Sequence, residues 1–253
     1  MLKQFIRKKG VIAYGALQSL AGRGHRYEDS TWWDRSFYTA GVSDRQTISP
    51  MKDPLSALYH YHSIEILIIR HLFNEQESIT GQSFLDIGAG SGHWIDFYRS
   101  LGTTDCVGVD VSRSSVEHLR HKYAADNDVA IEHGKALDYL AGCDRHFDFV
   151  NAIGVMFHIV DDEEWAETVR QTARVLKPNG MFVIGGHFGL LNGLNVHVSK
   201  EDEIFKRLRS RRNWINTLRK AGFAREHYYR NNAYLAINDP LPQNNVLIAT
   251  MPA

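Results

Sequence analysis

The chain has 253 residues, 43% hydrophobic and 23% charged, and these globular proportions exclude disordered, collagen-like and coiled-coil proteins. Its 29 Lys and Arg residues balance 29 Asp and Glu residues, so the formal net charge of +0 gives no overall attraction to nucleic acid or acidic membranes. Two cysteines, Cys106 and Cys143, do not make a disulfide framework, and no apolar run approaches the roughly 18 residues of a membrane span.

The first 27 residues are basic, and no acidic residue occurs before Glu28. Lys8 and Lys9 precede an apolar run, which gives a faint likeness to a signal peptide. Polar residues at positions 18 and 19 interrupt that run early. We therefore expect a basic surface helix here and a cytoplasmic protein.

Short apolar runs alternate with segments of helical periodicity from residue 83 onward. The runs predict strands at 83–87, 106–110, 129–133, 147–152 and 181–185, followed by an antiparallel hairpin of 228–237 and 245–251. The segments between them predict helices at 94–101, 112–123, 161–176 and 213–220. This alternation is typical of an α/β, doubly wound and mostly parallel sheet that is covered on both faces.

Two segments lie outside this pattern. Residues 1–75 precede the first core strand and contain several aromatic residues, and residues 186–212 separate the fifth strand from the last helix. Ligands of open α/β sheets bind beyond the carboxyl ends of the strands. We therefore expect residues 1–75 to be an N-terminal extension or lid, residues 76–253 to be the main domain, and residues 186–212 to be a substrate-side insertion.

A glycine-rich turn between the first strand and the first helix is the strongest motif. Its glycines fall at Gly88, Gly90 and Gly92, whereas the dinucleotide fingerprint G-x-G-x-x-G would place the third at position 93, which is His93. The turn also lacks the Lys-Ser/Thr ending of an ATP-type phosphate loop. Asp110 ends the next strand, where a carboxylate can accept hydrogen bonds from both hydroxyls of a ribose.

The run from Leu85 to Gly92 resembles the first motif of the class I S-adenosylmethionine-dependent methyltransferases. Further runs resemble the family's later motifs in the same order: 109–112, 147–150 with 155–158, 174–180 and 218–223. The resemblance covers roughly residues 80–250 and omits residues 1–75. It implies a Rossmann-like sheet of seven strands with an antiparallel last strand, and S-adenosylmethionine as the cofactor.

The resemblance also implies the cofactor-binding residues. The glycines would line the methionine part, Asp86 would hold the loop and the amino group, Asp110 would bind the ribose, and Val111 would pack on the adenine. The family's acid near the adenine is replaced by Lys135, which cannot accept a hydrogen bond, so Asp138 or a backbone carbonyl would accept that bond instead. The full predicted set is Asp86, Gly88, Ala89, Gly90, Gly92, Asp110, Val111, Ala136, Leu137, Asp138, Asn151 and Ala152, the last two near the sulfonium.

Histidines are the candidates for proton transfer. His158 and His187 follow the fourth and fifth predicted strands, and either could take a proton from a neutral acceptor. His60 and His62 would share a face if extended, and residues 161–164 are all acidic, so both could suggest a metal site. Solvated histidines and a favourable charge at a helix N-terminus are the simpler interpretations, so we expect no metal site.

The motifs that are missing narrow the methyl acceptor. The fourth strand ends in neither the Asp/Asn-Pro-Pro-aromatic motif of amino-group nucleic-acid methyltransferases nor the Pro-Cys of cytosine C5 enzymes. We therefore predict a small-molecule methyltransferase acting on oxygen or nitrogen. One alternative is an RNA or protein methyltransferase that uses the basic cluster 206–212, although such a cluster is usually a solvated helix face. Another is a non-catalytic cofactor-binding partner subunit.

Overall fold

The structure is a computed structural model that describes residues 25–26, 31–34, 41–44, 47, 54–75, 78–189, 193–200, 203–232 and 244–253. Seven strands form its main sheet: β2 (Phe84–Ile87), β3 (Cys106–Asp110), β4 (Val129–His133), β5 (Phe147–Ile153), β6 (Leu176–Gly186), β9 (Arg225–Tyr229) and β10 (Asn245–Thr250). Their order is β4-β3-β2-β5-β6-β10-β9. The first five are parallel to one another, and β10 is antiparallel to both of its neighbours, β6 and β9. The predicted seven-stranded Rossmann-like sheet is therefore confirmed.

Six helices cover the two faces of this sheet: α1 (Pro54–Glu75), α2 (His93–Ser100), α3 (Arg113–Lys122), α4 (Ala136–Gly142), α5 (Asp162–Val175) and α6 (Arg211–Lys220). The first three share one buried cluster, in which Ile64 of α1 and Ile95 of α2 meet strand residues such as Ile248. The last three share the other cluster, which contains Trp165 and Trp214. None of the helices in the described part of the chain is long and apolar enough to cross a membrane.

Several local predictions agree with the structure. Ser112 caps α3 by accepting a hydrogen bond from the Ser115 amide, and Asp161 caps α5 by accepting from the amides of residues 163 and 164. Cys106 is a buried thiol, as its apolar surroundings predict. The acidic run at residues 161–164 is therefore explained by capping and by its favourable charge at the start of a helix.

Other local predictions need correction. The strand predicted at 228–237 begins earlier, because β9 covers Arg225–Tyr229, and residues 233–243 lie outside the described part. Helix α6 begins at Arg211 rather than at residue 213, after a cap at Ser210. Residues 60 and 62 belong to helix α1 and so point in different directions, which removes the idea of a shared metal-binding face. The surface helix expected within residues 1–27 falls almost wholly outside the described residues.

A second, smaller sheet joins the two segments that lie outside the core pattern. Its strands are β1 (His25–Arg26), β7 (Val196–Lys200) and β8 (Glu203–Leu208), with β8 in the centre. Strand β1 runs parallel to β8, and β7 runs antiparallel to it. The Arg207 amide also donates to the Phe157 carbonyl at 2.7 Å, which attaches the small sheet to the loop that follows β5. The N-terminal segment and the 186–212 insertion thus meet beside the carboxyl edge of the main sheet.

The basic cluster 206–212 is not a solvated helix face, so this interpretation was wrong. It comprises the end of β8, a short connection and the start of α6. Arg207 and Arg209 both form ion pairs with Asp162, at 2.7 and 2.9 Å, and the Arg209 side chain is only 1% exposed. Its guanidinium also lies 4.3 Å from the ring centroid of Trp165. The cluster therefore ties the insertion to the start of α5.

This arrangement makes Arg209 a structural residue. Arg209→Ala removes hydrogen bonds to the Asp162 carboxylate and to the Asp161 carbonyl, together with the packing on Trp165. Because hydrogen bonds to charged groups contribute about 1.5–3 kcal/mol each and Asp162 keeps Arg207, we expect the free energy of unfolding to fall by about 2–4 kcal/mol. Urea-induced unfolding of the wild type and of the variant measures this difference in the free energy of unfolding.

The matched control is Arg212→Ala, a change of the same kind at an exposed position of the same cluster. We expect its free energy of unfolding to stay within about 0.5 kcal/mol of wild type. Equal losses in the two variants would contradict the anchoring role of Arg209.

Candidate functional site

A pocket opens at the carboxyl edge of the main sheet, where β2, β3 and β5 end. Its walls come from the turns after these strands and from side chains of the N-terminal segment and the insertion. Among the lining residues are Trp33, Thr47, His60, Tyr61, Gly88, Ala89, Gly90, Ser91, His93, Asp110, Val111, Lys135, Ala136, Val155, Phe157, His158, His187, Lys206 and Asn244. The pocket thus joins a glycine-rich backbone surface to an aromatic one.

The turn after β2 requires glycine for two physical reasons. Gly88 has a φ of +73°, a left-handed conformation that side chains disfavour. A Cβ built there would also lie 2.2 Å from Cγ2 of Val155, far inside van der Waals contact. The Gly88 amide donates to the Val109 carbonyl at 2.7 Å, so the turn is tied to β3. The loop backbone can therefore approach the strand ends closely and line the pocket.

Asp110 connects the glycine loop to the next strand and helix. Its Oδ2 accepts a hydrogen bond from the Gly90 amide, and its Oδ1 accepts one from the Ser112 amide, both at 2.8 Å. Burial raises the pKa of Asp110 to about 6, although the two amide hydrogen bonds favour the charged form. Each carboxylate oxygen keeps further acceptor capacity, so Asp110 can also accept from a ligand in the pocket.

Asp86 and Asn151 form a buried polar pair on the neighbouring strands β2 and β5. Asn151 Nδ2 donates to Asp86 Oδ1 at 2.7 Å, and both residues are completely buried. Asp86 Oδ2 and Asn151 Oδ1 find no hydrogen-bond partner within the described residues. Burial raises the pKa of Asp86 to about 7, with the nearby Asp110 charge acting in the same direction. Two acceptor oxygens without partners next to the pocket favour a donor or a cation there.

The structure brings together a large part of the predicted cofactor set. The residues of that set that line the pocket are Gly88, Ala89, Gly90, Asp110, Val111 and Ala136. The residues of the set that lie outside the lining are Asp86, Gly92, Leu137, Asp138, Asn151 and Ala152. Asp138 is exposed in the first turn of α4, whereas Asp86, Asn151 and Ala152 are buried directly behind the strand ends.

Both candidate histidines line the pocket. His187 Nε2 lies 3.4 Å from Lys206 Nζ. The Phe157 ring meets His187 edge-on, with centroids 4.7 Å apart. His158 lies edge-on to Trp33 at 5.4 Å. Each histidine is therefore oriented by an aromatic neighbour.

Sequence reasoning missed a network that attaches the N-terminal segment to the glycine loop. His93 lies between two carboxylates, at 2.9 Å from Asp44 and 2.7 Å from Glu65, and stacks on Tyr61 with centroids 3.6 Å apart. Ser91 Oγ donates to Asp44 at 2.6 Å. Burial alone would lower the pKa of His93, but the hydrogen bonds to the two acids outweigh it and raise that pKa.

One signal in the sequence could have revealed this network. Residues 57, 61, 64, 68 and 72 are apolar at spacings of three and four, which predicts a helix with one buried face. That helix is α1, and it carries Tyr61 and Glu65 to the pocket. The pairing of Asp44 with His93, 49 residues apart, has no local pattern that would predict it.

Comparison with known proteins supports the resemblance found in the sequence. Residues 84–180 match a family model described as a methyltransferase domain. Demethylmenaquinone methyltransferases of Staphylococcus saprophyticus and Staphylococcus aureus are 28% identical over 116 residues and 31% identical over 105 residues. These matches cover 45% and 41% of this chain, and 48% and 42% of the relatives. The aligned part thus spans about half the length of those relatives.

Solved structures share the fold at low identity. Magnesium protoporphyrin IX methyltransferase of Synechocystis has a TM-score of 0.60 and 14% identity, with 89% of this chain and 98% of that chain covered. The 1,6-didemethyltoxoflavin-N1-methyltransferase of Burkholderia thailandensis has a TM-score of 0.58 and 15% identity, with 87% and 82% covered. The family match identifies residues 84–180 as a methyltransferase domain, and the solved structures together with the order of the strands show the fold of the class I S-adenosylmethionine-dependent methyltransferases.

Proposed function

We propose that the protein transfers the methyl group of S-adenosylmethionine to an oxygen or nitrogen atom of a small molecule. The observation that carries this proposal is the continuity of one pocket, from the glycine loop at Gly88 to the aromatic side chains of Trp33, Tyr61 and Phe157. The glycine side suits the cofactor, and the aromatic side suits a flat or apolar acceptor.

The residues at the strand ends fit this cofactor. The buried Asp86 oxygen without a partner suits the ammonium group of the methionine part, and Asp110 suits the ribose hydroxyls. The Val111 side of the pocket and the residues 134–136 would then enclose the adenine. Asp138 is exposed and does not line the pocket, so we assign the adenine contact to the backbone of residues 134–136 instead.

The pocket residues would then position the acceptor and remove its proton. The cofactor supplies a methyl group that is already activated as part of a sulfonium. Methyl transfer needs the attacking atom in line with the breaking bond, so orientation by Trp33, Tyr61 and Phe157 supplies much of the rate. His187 is the first candidate to take the acceptor's proton, because it lines the pocket, and His158 is the second candidate for this role.

The basic cluster gives less support to an RNA acceptor. Arg207 and Arg209 are paired with Asp162, so neither is free to neutralise a phosphate. The names of the relatives and of the structural neighbours refer to small molecules: demethylmenaquinone, a toxoflavin precursor and magnesium protoporphyrin IX. These observations favour the small-molecule acceptor over RNA or protein, and the aromatic pocket wall favours catalysis over a purely cofactor-binding role.

Methyl transfer from labelled S-adenosylmethionine tests the proposal directly. The purified chain is incubated with a low-molecular-weight extract, with total RNA and with a protein fraction, and the product of each reaction is counted. We expect label in the low-molecular-weight fraction alone. Label in RNA or protein would contradict the acceptor class, and absence of transfer from all three despite cofactor binding would favour a partner subunit.

Cofactor binding tests Asp110. We expect calorimetry to detect binding of S-adenosylmethionine and of S-adenosylhomocysteine but no binding of NAD. In Asp110→Asn, the side-chain size stays, but the charge is lost and one of the two acceptor oxygens becomes an amide donor, so the charge-assisted hydrogen bonds to the ribose weaken. A loss of about 1.5–3 kcal/mol corresponds to an affinity roughly 10- to 150-fold lower.

The control for this change is Asp105→Asn, which alters an exposed aspartate at the opposite end of β3. It should bind both sulfur nucleotides as wild type does. Wild-type affinity in Asp110→Asn would place the ribose elsewhere, and NAD binding without the sulfur nucleotides would overturn the cofactor.

The buried carboxyl of Asp86 makes cofactor binding depend on pH. Its pKa of about 7 in the free protein means that it is half protonated at pH 7. An ammonium group beside it favours the charged carboxylate, so binding releases a proton whenever the pH lies below that pKa. We expect the affinity for S-adenosylhomocysteine to fall about tenfold from pH 8 to pH 6.

Calorimetry in buffers of different ionisation enthalpy measures both the affinity and the released proton. Asp86→Asn cannot titrate, so it should lose the part of the pH dependence that comes from the protein while the ligand's own titration remains. An unchanged pH profile in this variant would show that Asp86 does not meet the cofactor's amino group.

Removal of His187 or His158 tests proton transfer. If His187 is the base, His187→Ala should lower the single-turnover rate by roughly 10²–10⁴-fold without loss of cofactor affinity. In the wild type the rate should rise with pH as the histidine loses its proton and then level off. His158→Ala is the matched comparison, because both rings line the pocket. Wild-type rates and pH profiles in both variants would leave catalysis to positioning alone.

A further inference from the structure

Three potential metal ligands meet away from the pocket, between the last turns of α1 and the edge strand β9. They are His71, Glu75 and His227, and one ligand atom from each lies within 4.8 Å of the others. His71 and Glu75 are four residues apart and therefore share a face of α1. His227 and Tyr229 are two residues apart and therefore share a face of β9. Helix and strand each present a pair of residues to the same point.

The burial and hydrogen bonding of His71 resemble those of a metal-binding histidine. Its side chain is almost completely buried, and its Nδ1 makes a 2.8 Å hydrogen bond with the Tyr229 hydroxyl. Its Nε2 is also buried and has no hydrogen-bond partner in the part of the chain that the structure describes. A buried polar atom without a partner is costly, and a bound ligand would remove that cost.

The hydrogen bond to Tyr229 explains which nitrogen would bind the ion. Metal-bound histidines usually donate their second N–H to an oxygen that fixes the ring and the tautomer. With the proton on Nδ1 and Tyr229 Oη as its acceptor, the lone pair is on Nε2.

The other two ligands are partly exposed and can adjust. Glu75 Oε1 lies 4.0 Å from His227 Nε2, and their side chains are 30% and 40% exposed. Arg225 lies 3.7 Å from the other carboxylate oxygen, Oε2, and so leaves Oε1 for an ion, although its charge opposes the binding of a cation. Ligand bonds of about 2.0–2.2 Å in a tetrahedron place ligand atoms about 3.4 Å apart, so small rotations suffice to close the site.

We propose that His71, Glu75 and His227 bind one Zn²⁺ ion, with a water molecule as the fourth ligand. Two imidazoles and one carboxylate suit zinc, whereas Mg²⁺ and Ca²⁺ prefer ligand sets made only of oxygen. The ion links the C-terminal part of α1 to the edge strand of the sheet and is independent of the cofactor pocket. Its role is to hold α1 on the sheet.

Zinc titration of the full-length, tag-free chain after treatment with a chelator tests the site. Competition with a chromophoric chelator should show one Zn²⁺ per chain with a Kd of about 1 µM or tighter. A hundredfold excess of free Zn²⁺ over Kd should raise the Tm by about 5–10 °C, and the same concentration of Mg²⁺ should not. Because 13 histidines are present, matched variants are needed to assign the binding.

His227→Ala and Glu75→Gln alter partly exposed residues and should fold, yet both should lose the stoichiometric binding and the zinc-dependent rise in Tm. Tyr229→Phe keeps all three ligands and removes the hydroxyl that orients His71, so its affinity should fall about 10- to 100-fold. His146→Ala changes an exposed histidine that belongs to neither α1 nor β9, and this variant should bind zinc as wild type does. Equal zinc binding by wild type and His227→Ala, or no binding by wild type, would overturn the proposal.

Discussion

The carboxyl edge of the main sheet depends on the two hydrogen bonds that the Asp110 carboxylate accepts from backbone amides. One oxygen accepts from the Gly90 amide in the turn after β2, and the other accepts from the Ser112 amide in the turn after β3. Two strand–helix connections are thereby held by one side chain that is only 8% exposed. Since burial of a carboxylate is costly unless its oxygens are satisfied, this geometry is stable only while both turns keep their conformation.

The same edge receives the N-terminal segment through charged contacts. Asp34 accepts from the Ser112 hydroxyl at 2.7 Å, and Asp44 accepts from Ser91 and pairs with His93. The segment is therefore held by the starts of α2 and α3, the two helices that follow the glycine loop and β3. Helix N-termini favour negative charge, so these aspartates lie where the backbone dipoles help them. The N-terminal segment is consequently attached to the same two turns that line the pocket.

The parts of the fold that are visible in the sequence are those with a local pattern. Apolar runs predicted the central parallel strands β2, β3 and β5 because these strands are buried on both faces and need continuous hydrophobicity. The small sheet was missed because its pairing joins β1 to β8 across roughly 180 residues, and a strand of two residues has no periodicity.

In the candidate site too, only the residues that belong to a local sequence pattern were predictable. Gly88 and Asp110 were predictable from local sequence. Gly88 lies in a glycine-rich turn directly after a predicted strand, and Asp110 is the last residue of the next predicted strand. The His93 network was not, because its partners come from distant segments, and sequence spacing carries no information about which charges meet in space. The burial of Arg209 was not predictable for a related reason: a run of basic residues indicates solvent exposure only when the fold brings no carboxylate, such as Asp162, to it.

Helix α1 contacts both the pocket and the edge strand β9. The part of the helix from Tyr61, which lines the pocket, to Glu75 beside β9 is about 21 Å long. A buried stripe that includes Ile64 and Ile68 packs on the sheet between the two ends. Because a helix transmits a tilt along its whole length, a contact at the β9 end constrains the pocket wall without touching a ligand. Accurate positioning of a reacting group depends on displacements of about 1 Å, so the packing of α1 is part of the geometry of the pocket.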